Sequence, residues 1–552
     1  MTARRHAATL LLFACLAALH TWPVASVPAT WARTNGDYAL NAWALAWVVH
    51  QAPRDPLHLF DANIFHPEPR TLAFSEHLAP QAVLAAPVLA AGGSAVLAYN
   101  LVMLAGFALS GWAMAWAIAR WTGNWRAGLV AGALHAFNAH TLTRLVHVQA
   151  LHAYYLPAAL VALDLVFERK RLRDGLAAGV AAALQALTSG YWLVFTVVAM
   201  AVGAVARAGE SWQPAAGGPR WKRPLVLLAI GGAGAGLMLA PFLYPYWLAR
   251  QDQGLVRGLD EVTRFSATWL DYLSSTSRLH SATPLRAFYV ALPAHDVLFP
   301  GVVAAALAAV AVATGRAWRD PRARMLSAVG VSGLVLSVGP AFAPYRWLYD
   351  LVPLLQGIRA PSRFGILALV AVAGLAGYGV QWIDDRLAAS GRARARIALL
   401  AGALVLVTIE ALRAPFDYRP AVPASPVYRV VARLPDPAVI AEFPMYRPEA
   451  YFRNADYMLW STVHWKPIVN GYSGFMPASY RRMSEAMRTF PDPPTTDVLR
   501  AAGVTHVIIH RNRFGAGRDM LIASMLGSGE FEPVAGDEQV RLFALRPRKA
   551  QP

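Results

Sequence analysis

The sequence predicts a mainly α, polytopic transmembrane helical bundle of about eleven helices, followed by a small extracytoplasmic α/β domain. Three observations predict it. The 552 residues are 56% hydrophobic and only 15% charged, whereas an average soluble domain carries about 25% charged residues. The apolar residues fall into long runs rather than an even scatter. The basic residues gather in every second loop between those runs, which is a topology signal.

The runs are read in order as helices over 7–27, 95–118, 126–143, 148–167, 175–188, 191–206, 224–248, 297–314, 325–342, 364–383 and 397–413. Several fall short of the roughly 20 residues needed to span. The pair 175–188 and 191–206 forms a hairpin turned at Thr188-Ser189-Gly190, and 79–91 is a further short or re-entrant candidate. Arg4 and Arg5 precede the first run, which is taken as an uncleaved helix rather than a signal peptide. Its Cys15 is the only cysteine, so no disulfide within the chain and no cysteine metal site is expected.

With the N-terminus placed in the cytoplasm, the loops at 120–126, 168–173, 207–223, 315–324 and 384–396 are cytoplasmic. These are the basic clusters, including Arg220 in the third. The loops at 28–93, 144–147, 249–296 and 343–363 face outward and hold nearly all the loop acids. An odd helix count puts the C-terminus outside. The expected domains are 1–413, membrane-embedded with 28–93 as its first outer loop, and 414–552, extracytoplasmic. The net charge of +18 would suggest nucleic acid in a soluble protein. Here most of that charge sits in short loops, and no nucleic-acid partner is expected; the partner is a lipid bilayer. Only four of the basic residues are lysine, Lys549 among them.

After Pro415 the composition changes. Ala438–Phe443 reads as a buried strand, Thr496–Ala502 as a helix ended by Gly503, and Val504–Ile509 and Gln539–Leu545 as further strands. The aromatic stretch with Tyr457, Trp460, His464, Trp465, Tyr472 and Phe475 reads as domain core or as docking on the membrane part. Asn470-Gly471 reads as a turn. Asp164, near the end of its helix, reads as an interface charge. Gly232-Ala233-Gly234-Ala235-Gly236 resembles a dinucleotide loop only by letter; within an apolar run, its small residues read as helix packing.

Familiar catalytic strings are absent, which turns attention to the outer loops. Asn35-Gly36-Asp37-Tyr38, Asn41, Trp43, Trp47 and His50 suit an amphipathic helix at the membrane interface. A carboxylate held there is where a base meets a lipid head group. From the residues alone, Asp37 is either such a base or one more solvated loop acid.

The order of features resembles the C-type glycosyltransferase superfamily of polytopic membrane enzymes, and more narrowly a bacterial mannosyltransferase- and arabinosyltransferase-like group. The resemblance rests on Gly36-Asp37 with Asn41, Phe60 to Pro67, Ser75-Glu76-His77, Ala98-Tyr99-Asn100, His147 with Gln149, Leu187 to Tyr191, Gly357 to Phe364, and Tyr457 to Pro477. It implies a membrane glycosyltransferase, hexosyl or pentosyl, in the bacterial inner membrane. The donor would be a sugar on polyprenyl phosphate and the acceptor a lipid, polysaccharide or protein outside the cytoplasm. It also implies Asp37 as general base in an inverting displacement. A lipid-borne donor agrees with the outward site and with the lack of a Rossmann-type phosphate loop.

In this frame Arg359 and Arg363 either bind the leaving phosphate or anchor a helix at the head groups. Asn41, Glu76, His77, His147 and Gln149 become substrate-binding candidates, with capping or packing the plainer reading for the last two. A divalent-ion site can be drawn from Glu76, His77, His147, Asp61 and His66, but no spacing forces it; no metal and no cofactor is expected. Two alternatives remain. One is a non-catalytic protein that handles lipid-linked glycans during envelope assembly. The other, ranked last, is a transporter, because central charges and internal repeats are lacking.

Overall fold

A computed structural model describes residues 2–33, 35–208, 221–254, 258–282, 284–515 and 517–547. Arg220 and Lys549 lie outside the described residues. The described residues are 66% helix with little strand. The chain forms two compact units: one from 1–27, 100–243 and 256–417, the other from 28–99, 244–255 and 418–552. The segment 28–93, expected as the first outer loop, therefore belongs to the same unit as the C-terminal residues, a grouping that the order of the chain does not reveal.

Among the described residues, five helices are long and apolar enough to cross a membrane: Ala95–Thr122, Val148–Arg169, Gly190–Ala208, Lys222–Gln253 and Pro361–Ala389. The other six expected spans also form helices, Ala3–His20, Trp125–Ala136, Leu172–Thr188, Val302–Ala313, Pro321–Ser337 and Ala393–Ala411. These fall below the length or apolarity that marks a span. The segment read as short or re-entrant forms the twelve-residue helix Ala79–Ala90. The helix expected from 297 starts only at Val302, because Gly301 takes a positive φ of 98° and breaks the run. Glu410 then accepts from the backbone N–H groups of Val302 and Val303, supplying the cap from a neighbouring helix.

The span Val148–Arg169 is interrupted near His152, where backbone groups lose their helical partners. Gln185 replaces them. Its amide donates to the His152 carbonyl at 2.9 Å and accepts from Leu156 N–H at 2.9 Å. An amide suits this place because it carries both a donor and an acceptor, and apolar surroundings tolerate neither group unpaired.

Several loop-end charges prove structural. Asp164 is not an interface charge. It is 1% exposed and paired with Arg207 at 3.0 Å and Arg322 at 2.8 Å. Asp384, fully buried, is held by both Arg396 nitrogens at 2.8 Å and by Asn124 at 2.7 Å. The packing role expected of Gly232, Gly234 and Gly236 is also corrected, since a Cβ on any of them would meet nothing within 4 Å. The close approach is made one residue earlier. A Cβ on Gly231 would stand 2.1 Å from the Gly175 carbonyl oxygen, and one on Gly179 would stand 2.0 Å from that of Gly231.

The second unit is built on two sheets. Strand β1 (Trp31–Ala32) pairs antiparallel with β2 (Arg419–Pro420). Strands β3 (Ile440–Phe443), β4 (His506–His510), β5 (Phe531–Gly536) and β6 (Val540–Leu545) form a sheet of order β3-β4-β6-β5, with β3 and β4 parallel. The buried, β-branched runs expected at 438–443 and 504–509 supply β3 and β4, the parallel pair. Residues 467–470 carry the pairing beyond β3. Ile468 bridges Ile440, and it exchanges backbone hydrogen bonds with the first loop, Ile468 N–H to Asn63 O at 2.8 Å and His66 N–H to Ile468 O at 3.0 Å. The expected turn at Asn470-Gly471 is not formed. Asn470 is fully buried, accepting from Glu442 N–H and donating to its carbonyl.

The helix Gly36–Gln51 forms where the Asn35 side chain accepts from Tyr38 N–H at 2.9 Å. It is not amphipathic at an interface, because every residue from Tyr38 to Val48 is buried. Trp43 Nε1–H donates to Asn63 at 3.1 Å and Trp47 Nε1–H to the Leu59 carbonyl at 2.8 Å, so the indoles find protein partners instead of head groups. Tyr457, Trp460 and His464 lie in the core. With them, fully buried Glu442 accepts from the Tyr428 hydroxyl and pairs with His510 Nε2 at 2.7 Å.

Candidate active site

In the second unit, Asp37 sits half-buried in the first turn of Gly36–Gln51. Its Oδ1 accepts from the Tyr472 hydroxyl at 2.7 Å. Asn41, one turn on, is buried and donates to the Asp37 carbonyl at 2.8 Å, so its amide braces the backbone that carries the carboxylate. Gly36 lets Tyr472 come close: a Cβ there would meet Tyr472 Cε1 at 3.2 Å and the Phe452 carbonyl oxygen at 2.8 Å.

The strip 471–475 runs past three of the first-loop motifs in turn. Gly471 packs on Phe65, Tyr472 reaches Asp37, and Gly474 lies 3.1 Å from the Phe74 carbonyl oxygen when given a Cβ. Phe475 meets Phe74 edge-on at 5.8 Å.

Glu76 is half-buried and His77 is buried. His77 N–H donates to the Tyr246 hydroxyl at 3.1 Å, and that hydroxyl donates to the Ser75 carbonyl at 2.7 Å. His77 Nδ1 accepts from Ala79 N–H at 3.0 Å, at the start of the helix Ala79–Ala90. Burial pushes its imidazole down to about 4, so the ring is neutral near pH 7. One nitrogen thus serves the backbone of the turn.

The remaining candidates lie in the first unit. His147 N-caps the short helix Val148–Leu151 through its backbone, without a side-chain cap bond. Gln149 Oε1 is buried without a hydrogen-bond partner. The two arginines differ. Arg359 is exposed, 3.5 Å from Glu261 and 4.5 Å from the Phe265 ring centroid. Arg363 is half-buried over the Tyr191 ring at 4.6 Å, and among the described residues no acid stands within ion-pair distance of it. Tyr191 is fixed in turn by its hydroxyl, which accepts from Ala360 N–H at 3.2 Å.

Arg363 acts electrostatically on a buried cluster absent from the sequence candidates. Arg144 donates to both oxygens of Asp296 at 2.6 and 2.7 Å; His140 Nδ1 lies 3.3 Å from the same carboxylate, and the Ser362 hydroxyl donates to it at 3.1 Å. Burial pushes the Asp296 carboxyl up, but His140 and Arg144 outweigh it and hold the group below the usual carboxylate range. Burial keeps the His140 imidazole below its usual range despite that carboxylate. Asp296 thus pairs with Arg144, and Arg363, which acts on Arg144 and His140, brings a second guanidinium to these surroundings. Such a site favours an anion with planar, oxygen-rich geometry. Asp296 had registered only as a loop acid. No local spacing links residues 140, 144, 296 and 363, so the sequence offered no signal for the cluster. Among the described residues no group of three or more His, Cys, Asp or Glu is placed to hold a metal ion.

No protein-family profile matches the chain, and no curated protein does. Solved structures do. The arabinofuranosyltransferase AftD from Mycobacteria aligns with a TM-score of 0.62 at 17% identity, over 99% of this chain and 40% of that one. The Archaeoglobus fulgidus oligosaccharyltransferase in its apo form aligns with a TM-score of 0.53 at 14% identity, over 92% of this chain and 70% of that one. The same archaeal enzyme, AglB, in complex with an inhibitory peptide and a dolichol-phosphate, aligns at 0.50 and 12%, over 99% and 75%. The chain spans 40% of the length of the mycobacterial enzyme. These likenesses show that the chain shares the fold of these solved structures.

Proposed function

We propose that this chain is a membrane glycosyltransferase that moves a hexosyl or pentosyl group from a polyprenyl-phosphate donor to a hydroxyl of a lipid, polysaccharide or protein. The observation that carries the reading is a C-type glycosyltransferase fold with a half-buried, hydrogen-bonded carboxylate, Asp37, in its first long loop. Asp37 takes the proton of the acceptor hydroxyl. That oxygen attacks the anomeric carbon with inversion while the bond from carbon to phosphate oxygen breaks, and polyprenyl phosphate leaves carrying the charge. In the first unit, Arg363 and Arg144 are the candidate groups for the donor phosphate. Arg359, already balanced by Glu261, contributes less. In the second unit, Asn41 fixes the Asp37 backbone and Glu76 is a candidate substrate contact; His147 and Gln149, in the first unit, keep the same candidate role. The N-terminus faces the cytoplasm of a bacterial inner membrane, and residues 414–552 face outward.

Three observations support this reading: the fold, the unneutralised Arg363, and the archaeal neighbour solved in complex with a dolichol-phosphate. The test is transfer of labelled sugar by the purified full-length protein from a panel of synthetic polyprenyl-phosphate hexoses and pentoses. Wild type should transfer one of them and Asp37→Asn should lose at least 100-fold, the lower range for a general base. Equal transfer by both would remove Asp37 as the base.

A further inference from the structure

We propose that Tyr472 is a positioning residue for Asp37, so that residues 418–552 contribute directly to the candidate active site; this rests on the reading of Asp37 as the base. The Tyr472 hydroxyl donates to Asp37 Oδ1 at 2.7 Å. A carboxylate has two oxygens and about four acceptor sites. The Tyr472 phenol fills one of those sites on Oδ1. Tyr472 keeps its own proton throughout, and the proton that moves is that of the acceptor.

The surroundings show why this contact orients Asp37 instead of merely covering it. Tyr472 is held at three points besides the carboxylate. Its backbone N–H donates to Met458 Sδ at 3.0 Å. Its ring meets Tyr451 edge-on at 5.0 Å and lies over Gly36, where a side chain would collide. The next residue is pinned as well, the Tyr451 hydroxyl donating to the Ser473 carbonyl at 2.5 Å. On the other side, Asn35 caps the helix and Asn41 holds the Asp37 carbonyl. The carboxylate is therefore gripped from its own helix through the backbone and from the C-terminal residues through Oδ1. A side chain anchored so firmly is preorganised; a plug that must vacate the carboxylate for the acceptor would need to be loose.

The sign of the effect separates this role from its rivals. A phenol donating to a carboxylate makes the carboxylate a weaker base. If the contact were only electronic, or if Tyr472 competed with the acceptor, Tyr472→Phe would transfer sugar as fast as wild type or faster. If it orients the base, the variant is slower, because a loose reacting group loses on the order of 10- to 100-fold in rate.

The experiment is steady-state transfer by full-length wild type, Tyr472→Phe and Asp37→Asn, using the panel of polyprenyl-phosphate sugars, with thermal unfolding as a fold control. The expected result for Tyr472→Phe is kcat down about 10- to 100-fold with KM for donor and acceptor unchanged, Tm unchanged, and Asp37→Asn inactive. An unchanged or raised kcat, or a loss confined to KM, with Asp37→Asn still inactive, overturns the positioning role and leaves the glycosyltransferase reading standing. Asp37→Asn as active as wild type, or no transfer by wild type across the panel, overturns both.

Discussion

Replacing His77 with Asn tests whether this residue is a neutral structural imidazole. Burial holds its folded-state pKa at about 4 against an ordinary 6.5. A group whose folded value is depressed stabilises the fold fully above its unfolded value, and that stability is lost as pH falls from 6.5 toward 4. Between pH 7 and pH 5 the unfolded ring binds a proton that the folded ring refuses, which costs about 2 kcal/mol. His464, pushed by burial and by nearby Lys466 down to about 3, acts in the same direction. Asn can still accept from an N–H two residues on, as His77 does from Ala79, so the substitution removes the titration while keeping the turn. For a unit of about 200 residues, about 2 kcal/mol corresponds to roughly 4–8 °C in Tm. Wild type should therefore lose about 4–8 °C more than His77→Asn on going from pH 7 to pH 5, read by thermal unfolding of the purified protein. Equal acid sensitivity would refute the assignment of a buried neutral His77.

Three further outcomes follow from the same geometry. Arg363→Gln should weaken binding of a polyprenyl-phosphate donor by about tenfold or more, as loss of a charge-assisted contact does, whereas Arg359→Gln should change it less than threefold because Glu261 already balances that charge; a filter-binding titration showing the reverse order would sink this ranking. Asp296→Asn should destabilise the protein by about 1–3 kcal/mol, since it leaves the half-buried Arg144 charge unpaired, and adding Arg144→Met should recover most of the loss; a Tm unaffected by the single change would argue against the ion pair. Gly231→Val should prevent tight packing against Gly175 and Gly179, whereas Gly234→Val should be tolerated, and comparable Tm values for the two would contradict the assigned helix contact.

Local physics was legible. Apolar runs located the helices because a membrane-length helix needs little beyond continuous apolarity. The strands at 440–443 and 506–510, and the stop at Gly503 with its positive φ of 75°, were readable because period, β-branching and glycine act over a few residues. Asp37 stood out as a carboxylate beside Tyr38, Trp43 and Trp47 in the first long loop. Where the reading failed, a distant partner decided the outcome. Trp43 and Trp47 look interfacial until Asn63 and the Leu59 carbonyl satisfy their indoles. Asn470-Gly471 looks like a turn until Glu442 claims the asparagine. A glycine run marks a place where helices can approach, but the helix rotation that selects Gly231 over Gly234 is set by the neighbour.

The sequence by itself determined the helical class, the alternation of basic and acidic loops, and the identity of Asp37 and Arg363 as groups with chemical potential. Only the tertiary structure decided what surrounds them: Tyr472 on Asp37, separated by 435 positions, and Asp296 holding Arg144 across 152. The reason is physical. Propensity and hydropathy are carried by each residue and its near neighbours, whereas a buried charge or a carboxylate's hydrogen bond depends on whichever side chain the folded chain returns to that point.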